Sequence, residues 1–437
     1  MGHLSHLKTE FQALHRRLQA NQVGFPEPAD EKAREGWKDI LEILYTAEDA
    51  ELASRLPVIP SRIEAIAART GMDPAVLKPR LDAMCEKGIV MDLVNPRTGK
   101  AVYLLSPPVV GFFELSMMRA HDTIPKKRMA EAMDAYTRGD RAFAVELFGG
   151  QTLIGRALVD EAGIGPDTLP EVLDWERATA VIRDAQKIAV SLCYCRHKQE
   201  HLGKSCAVPM EICLSLNLGA DFVIRRRFGR QIECAEALEI LDAARKAHLV
   251  QTADNVQQRP YWICNCCGCC CEQLRAINEW QLPGVNPSAF EPHVDDAACQ
   301  GCSRCSRACP VTAISMTARR VEAKVKNELR PHIDRDRCIG CGVCAGVCLR
   351  KALRMRRRRS APYVPERALE RSLRMAIERG KLAHLLFDEG AGRGSRFLNH
   401  ALQALMRLPP ASRLLASDQV QSRFVRAAVA KNRNLIE

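Results

Sequence analysis

CQGCSRCSRACP at residues 299–310 and CIGCGVCAGVC at residues 338–348 decide how the rest of this chain is read. The first spaces its cysteines as Cys299-x2-Cys302-x2-Cys305-x3-Cys309, with Pro310 next. The second repeats the spacing with Cys338, Cys341, Cys344 and Cys348. A cubane needs four thiolates at the corners of a tetrahedron, and two-residue gaps let three successive sulfurs curl around one face of it. The fourth thiolate comes from the other run, so the expected wiring is crossed. Cys299, Cys302, Cys305 and Cys348 then hold one [4Fe–4S] cluster; Cys338, Cys341, Cys344 and Cys309 hold a second. Zinc ribbons use two CxxC pairs, a different pattern.

The two runs sit in an internal repeat. His293 and His332, Cys309 and Cys348, Ala313 and Ala352, and Met316 and Met355 are each 39 residues apart. Each half of residues 290–356 reads as strand, cluster loop, short helix, strand. This stretch resembles the bacterial dicluster ferredoxins over about 65 of 437 residues. The resemblance implies a ferredoxin-like (β-α-β)2 module that carries two [4Fe–4S] clusters and moves single electrons. Leu349 stands where that family usually has proline, and the second half runs into MRRRR where free ferredoxins are usually acidic. The module therefore reads as a fixed wire in a larger protein.

Eleven more cysteines lie in residues 188–275, which read as a small Cys-rich α/β domain. IAVSLCYC predicts a strand entering a loop, DFVIRR a strand, AEALEILDAARKAHLV an amphipathic helix, and YWIC a third strand. ICNCCGCCC packs six cysteines into eight residues, a density that points to metal rather than core. Cys193, Cys195, Cys206 and Cys213 supply one set of thiolates; Cys264, Cys266, Cys267, Cys269 and Cys270 supply another, beside a helix start near Glu272. Two further clusters, or one larger cluster held jointly, both fit, and zinc storage or metal sensing are rival readings. CCG at Cys266–Gly268 is similar to the cysteine-rich domains of heterodisulfide-reductase-like proteins, which hold a noncubane cluster. The segment from CYCRHKQEHLGKSC to ICNCCGCC resembles one in larger bacterial iron–sulfur proteins that also carry a winged helix and a ferredoxin module. Arg196, His197, His201 and Lys204 are candidates for tuning a cluster or for contacting substrate, with a solvated polar loop as the bland reading. RRRFGR (225–230) reads as an anion-facing segment or a solvated face.

The remaining chain reads as an N-terminal helix and linker (1–36), a winged-helix-like domain (37–106), a helical region (107–187) and a basic helical C-terminal tail (357–437). The whole is α+β and multidomain. Ser61 and Asp73 are predicted helix caps, and NPRTGK turns a hairpin between IVMDLV and AVYLL. Residues 37–105 hold 9 Lys+Arg against 10 Asp+Glu, and a DNA reader needs a basic face. Met117, Met118, Met129 and Met133 read as core filler.

Basic charge is concentrated late in the chain. Residues 350–437 carry 20 Lys+Arg and 7 Asp+Glu, a net of +13 out of +12 for the whole chain. Seven of those positive charges fall within Arg350–Arg359, a docking surface for an acidic redox partner, with nucleic acid or an anionic membrane as alternatives. The opening residues lack a signal-peptide pattern, and no stretch is apolar enough to span a bilayer. A cytoplasmic location is expected, where clustered thiols stay reduced and bind metal. The sequence thus predicts an iron–sulfur electron-transfer protein. The alternatives are a cluster-dependent DNA-binding regulator and a reductase with substrate at a cluster in residues 188–275.

Overall fold

The computed structural model describes residues 7–165, 168–319, 328–387 and 392–406. Its N-terminal part is helical and ends in a hairpin. Helices Glu31–Leu44, Ala47–Arg55 and Pro74–Lys87 begin at Asp30, Thr46 and Asp73, whose side chains accept the N–H groups of Ala33, Asp49 and Ala75. Ser61 caps no helix. It pairs its backbone with Tyr103, and Ile63–Thr70 starts one residue later than expected. Strands β1 (Val90–Val94) and β2 (Ala101–Leu105) form the antiparallel hairpin. Helix Lys126–Gly139 packs along Glu31–Leu44, and Met117, Met129 and Met133 fill the core between them. Aromatic rings anchor that core: the Phe25 ring lies 4.8 Å from Tyr136, and Phe143 lies 5.0 Å from Tyr136.

The centre of the molecule is a six-stranded antiparallel sheet. Its strands are β3 (Gly155–Ala157), β4 (Ile188–Leu192), β5 (Glu211–Leu216), β6 (Arg230–Ile232), β7 (Val250–Asp254) and β8 (Trp262–Cys266), in the order β3-β7-β8-β5-β4-β6. It reaches back to residue 155, ahead of the cysteine-rich stretch. Three local expectations are corrected here. DFVIRR lies in the helix Asn217–Arg225, because Asn217 turns the chain at φ 55° and Ala220, Phe222 and Val223 then face inward. Burial of one helical face overrides the β-branched preference of Val and Ile. The segment after IAVSL is the helix Tyr194–His201, with Cys193 at its N-cap, and not a loop. The amphipathic helix Cys234–Lys246 stops at Lys246, and Val250 opens β7.

In residues 290–357, β9 (Phe290–Val294) pairs with β12 (Leu353–Arg357), and β10 (Ile314–Arg319) pairs with β11 (Glu328–Ile333). Short helices Arg304–Ala308 and Val343–Gly346 follow the two cysteine loops. The chain then packs back onto the rest. Helix Ala368–Glu378 places Arg371 against Asp254 of β7, Arg379 donates to the backbone oxygen of Glu146, and Lys381 pairs with Glu146. This part of the predicted tail is therefore built into the fold. Helix Arg393–Met406 follows, and the rest of the basic helical tail expected over 357–437 lies outside the described residues. Among the described residues no helix is long and apolar enough to cross a membrane.

Candidate metal centre

The eight ferredoxin-type cysteines gather in two groups. Cys299, Cys302, Cys305 and Cys348 line one cavity of about 170 Å³. Cys309, Cys338, Cys341 and Cys344 line another of about 20 Å³. Cys309 thus sits with the second run and Cys348 with the first. The Ala313 N–H donates to the Cys309 sulfur at 3.2 Å, and Arg358 donates to the Cys338 backbone oxygen at 2.7 Å. Burial holds the Cys338 and Cys344 thiols above their ordinary value, so a bare thiolate is disfavoured there and a bound cation would draw the proton off.

Ten of the other eleven cysteines form two groups that do not follow sequence order. The first is compact. Cys206 Sγ lies 3.6 Å from Cys267 Sγ and 3.8 Å from Cys270 Sγ, and Cys269 and Cys270 sulfurs are 3.7 Å apart. All four donor atoms lie within 4.8 Å of one another. Four sulfurs about 2.3 Å from one tetrahedral metal ion would be about 3.8 Å apart, so this group has the dimensions of a single-ion tetrathiolate site.

The second group is a ring. Cys193 neighbours Cys195 and Cys213; Cys213 neighbours Cys264; Cys264 neighbours Cys266; Cys266 neighbours Cys271; and Cys271 neighbours Cys195, closing the circuit. The Cys266–Cys271 contact is 3.2 Å, and Thr252 Oγ1 sits 3.4 Å from Cys266 Sγ. All six thiols line one cavity of about 290 Å³, which Cys267 and Cys270 of the first group border as well and whose other walls are largely apolar, including Leu104, Leu115 and Phe222. Cys271 belongs to this ring but is absent from the predicted ligands. The signal was its place as the last residue of the CCGCCC run, at the N-cap of Glu272–Trp280. Cys234, at the start of its own helix, joins neither group, and Cys85 is buried in the N-terminal core.

Arg196 is the charged residue that reaches these sulfurs. It is fully buried, and among the described residues no carboxylate pairs with it. Its guanidinium donates to the Asn265 and Pro209 backbone oxygens and lies beside Cys193, Cys206, Cys213 and Cys267. Burial opposes its charge, and the neighbouring thiols hold it charged. A buried cation of this kind calls for anionic neighbours, and here sulfur supplies them. Cys267 is drawn down to about 4, chiefly by the Cys270 thiol donating to it, with the Arg196 charge also contributing. His197 turns away to the Met117 carbonyl and to His201, and Lys204 lies near Asp134.

The positive runs are also placed. Arg225 and Arg226 pair with Asp92 of β1, and Arg226 also with Asp82, so the anions they face belong to this chain. Arg230 pairs with Glu211 and Glu236. In the 350–359 run, Arg356 pairs with Glu291, Arg357 with Glu176, and Arg358 donates to backbone oxygens.

The cysteine loop and the ferredoxin-type loop touch. A Cβ on Gly268 would lie 2.3 Å from the Pro310 backbone oxygen, so this contact admits only glycine. Asn278 donates to both Gly268 and Pro310 carbonyls, and Arg337 donates to Asn278. Cys266 and Cys271 share one apolar core with Val311, Ala313, Ile339 and Val343, and Cys264, Cys309, Cys338 and Cys341 pack against it.

Residues 298–352 match the family model of the 4Fe–4S dicluster domain. No curated protein and no solved structure matches the chain. The matched domain and the gathered cysteines define the class: an iron–sulfur-binding protein with features suited to electron transfer.

Proposed function

We propose that this chain carries electrons from a redox partner through two [4Fe–4S] clusters to metal held by the second cysteine region. The crossed ligand sets rest on the two cavities, each lined by three cysteines of one run and one of the other. The path between the two regions rests on one observation: Cys309, Cys338 and Cys341 pack on the same apolar core as Cys264, Cys266 and Cys271. Close packing without intervening solvent is what electron hopping between centres needs, and burial and backbone donors then set the potentials. The Cys206 group would hold a third metal, as tetrahedral tetrathiolate iron or zinc.

The partner docks, on this reading, beside the cluster of Cys299, Cys302, Cys305 and Cys348. Cys302 is exposed there, Leu349 is 74% exposed, and among the described residues no carboxylate pairs with Arg350 or Lys351. An acidic surface on the partner would complement them. The N-terminal helices and hairpin act as a winged-helix-like structural module. Lys78 pairs with Asp82 and Lys87 with Asp49, which leaves little basic surface for phosphates. The density of reduced thiols suits the cytoplasm. A reductase is the second reading, favoured by the thiol-lined cavity of about 290 Å³.

Anaerobic purification followed by dithionite reduction and EPR tests the proposal. The expected result is reduced-cubane signals with at least about 8 iron per chain. Colourless protein with zinc at the eight ferredoxin-type thiols would overturn it.

A further inference from the structure

From the ring of Cys193, Cys195, Cys213, Cys264, Cys266 and Cys271 we infer that the six thiols together hold one iron–sulfur cluster larger than a cubane, with about eight irons in two linked halves. The inference rests on the iron–sulfur reading above and goes beyond it in assigning a separate cofactor to this ring.

Ligand arithmetic is the first support. One cubane uses four external thiolates and two use eight, so six exceed one and fall short of two. Two cubane-like halves joined by a shared bridging atom need three thiolates each. The ring divides in that way. Cys193 and Cys195 open the helix Tyr194–His201, and Cys213 comes from β5. Cys264 and Cys266 come from β8, and Cys271 caps Glu272–Trp280. Each trio is internally linked, and the trios meet at Cys195–Cys271 and Cys213–Cys264.

Shape is the second support. Two zinc ions sharing six thiolates would crowd sulfurs into tetrahedra with edges of about 3.8 Å. Among the described residues, the Cys206 group is the one set of three or more ligand atoms all within 4.8 Å of one another, so no trio in the ring is that compact. The ring is spread around a cavity of about 290 Å³ that Cys267 and Cys270 also border, larger than either ferredoxin-type cavity.

Charge is the third. Arg196 lies beside Cys193 and Cys213, and two helix N-termini point backbone N–H groups at the ring, from Arg196 to Cys193 and from Leu274 to Cys271. Positive ends converge on a site that holds an anionic cluster.

The test uses the full chain, isolated anaerobically, with iron and acid-labile sulfide assays, native mass spectrometry and Mössbauer spectra. The unaltered chain is expected to contain about 16 iron or more, with sulfide in similar amount. The double substitution Cys264→Ser, Cys271→Ser is expected to remove about eight irons together and leave the cubane EPR signals of the ferredoxin module. Loss of four or fewer irons, loss of zinc, or no loss of metal overturns the inference. If the double variant does not fold, the unaltered chain decides: about 12 iron or fewer overturns it. Failure of the broader reading shows differently, as absent cubane signals in every sample.

Discussion

Within each ferredoxin-type loop three thiols come from seven consecutive residues, whereas Cys206 meets Cys267 across 61 positions and Cys195 meets Cys271 across 76. The first kind of site is encoded by a loop; the second exists only once β5 and β8 have paired and two helices have started at Cys193 and Cys271. The first loop site is also more open than the ring. Cys302 is exposed, while Cys193, Cys195, Cys266 and Cys271 are buried. The surface-facing group at Cys302 suits exchange with a partner, and a buried ring suits a site that must exclude solvent. Assembly of the buried ring depends on tertiary structure, so its metal load should be sensitive to substitutions far from any cysteine.

Separating the two regions gives the largest expected effect. The variant Cys338→Ser, Cys341→Ser should lose about four irons and its share of the cubane EPR signal, while iron in the ring persists. Loss of all iron would mean that the two regions load as one. Next in size is Arg196→Met, which leaves buried thiolates without their cation. It should lower stability by about 3–5 kcal/mol and deplete the metal of the ring and of the Cys206 group, with ferredoxin iron retained. Denaturant unfolding and metal analysis on the same sample would check both.

A pH effect of intermediate size comes from Glu114, in the cavity wall. Burial raises its carboxyl pKa to about 7, and the Gly111 N–H donates to it at 2.9 Å. The folded protein therefore keeps a proton that the unfolded chain gives up near 4.5. Its contribution to stability is complete below that value and is lost as pH rises towards 7, by up to about 3 kcal/mol. Glu114→Gln should flatten stability between those pH values, and an unchanged profile would contradict the assignment. The smallest effect is expected from Gly268→Ala, which forces the loop off Pro310 at a cost of about 1–3 kcal/mol. It should slow electron transfer from the ferredoxin clusters to the ring without changing either metal count. An unchanged rate would mean that electrons do not cross at that contact.

The contrast also explains what could be read in advance. The duplicated spacing and the offset of 39 residues are local, and they anticipate the strands β9 to β12 of that module. The ten-thiol centre was legible only as a density of cysteine. Its partition was hidden because Cys206 leaves its sequence neighbours for Cys267, Cys269 and Cys270, and because Cys213 reaches Cys193 and Cys264 only through the pairing of β5 with β4 and β8. The arginines mislead for a related reason. A run such as Arg225–Arg226 looks solvated or partner-facing until the fold supplies Asp82 and Asp92 from more than a hundred residues away.

The central claim, that electrons pass from the ferredoxin module into the buried cysteine centre, is tested most directly by Mössbauer spectroscopy. Chain enriched in iron-57 would be reduced with less than one electron per cluster. The account predicts two groups of iron, cubanes and a second cysteine-bound component, with reducing equivalents shared between them. Iron confined to two cubanes, with zinc or nothing at the other ten thiols, would contradict it.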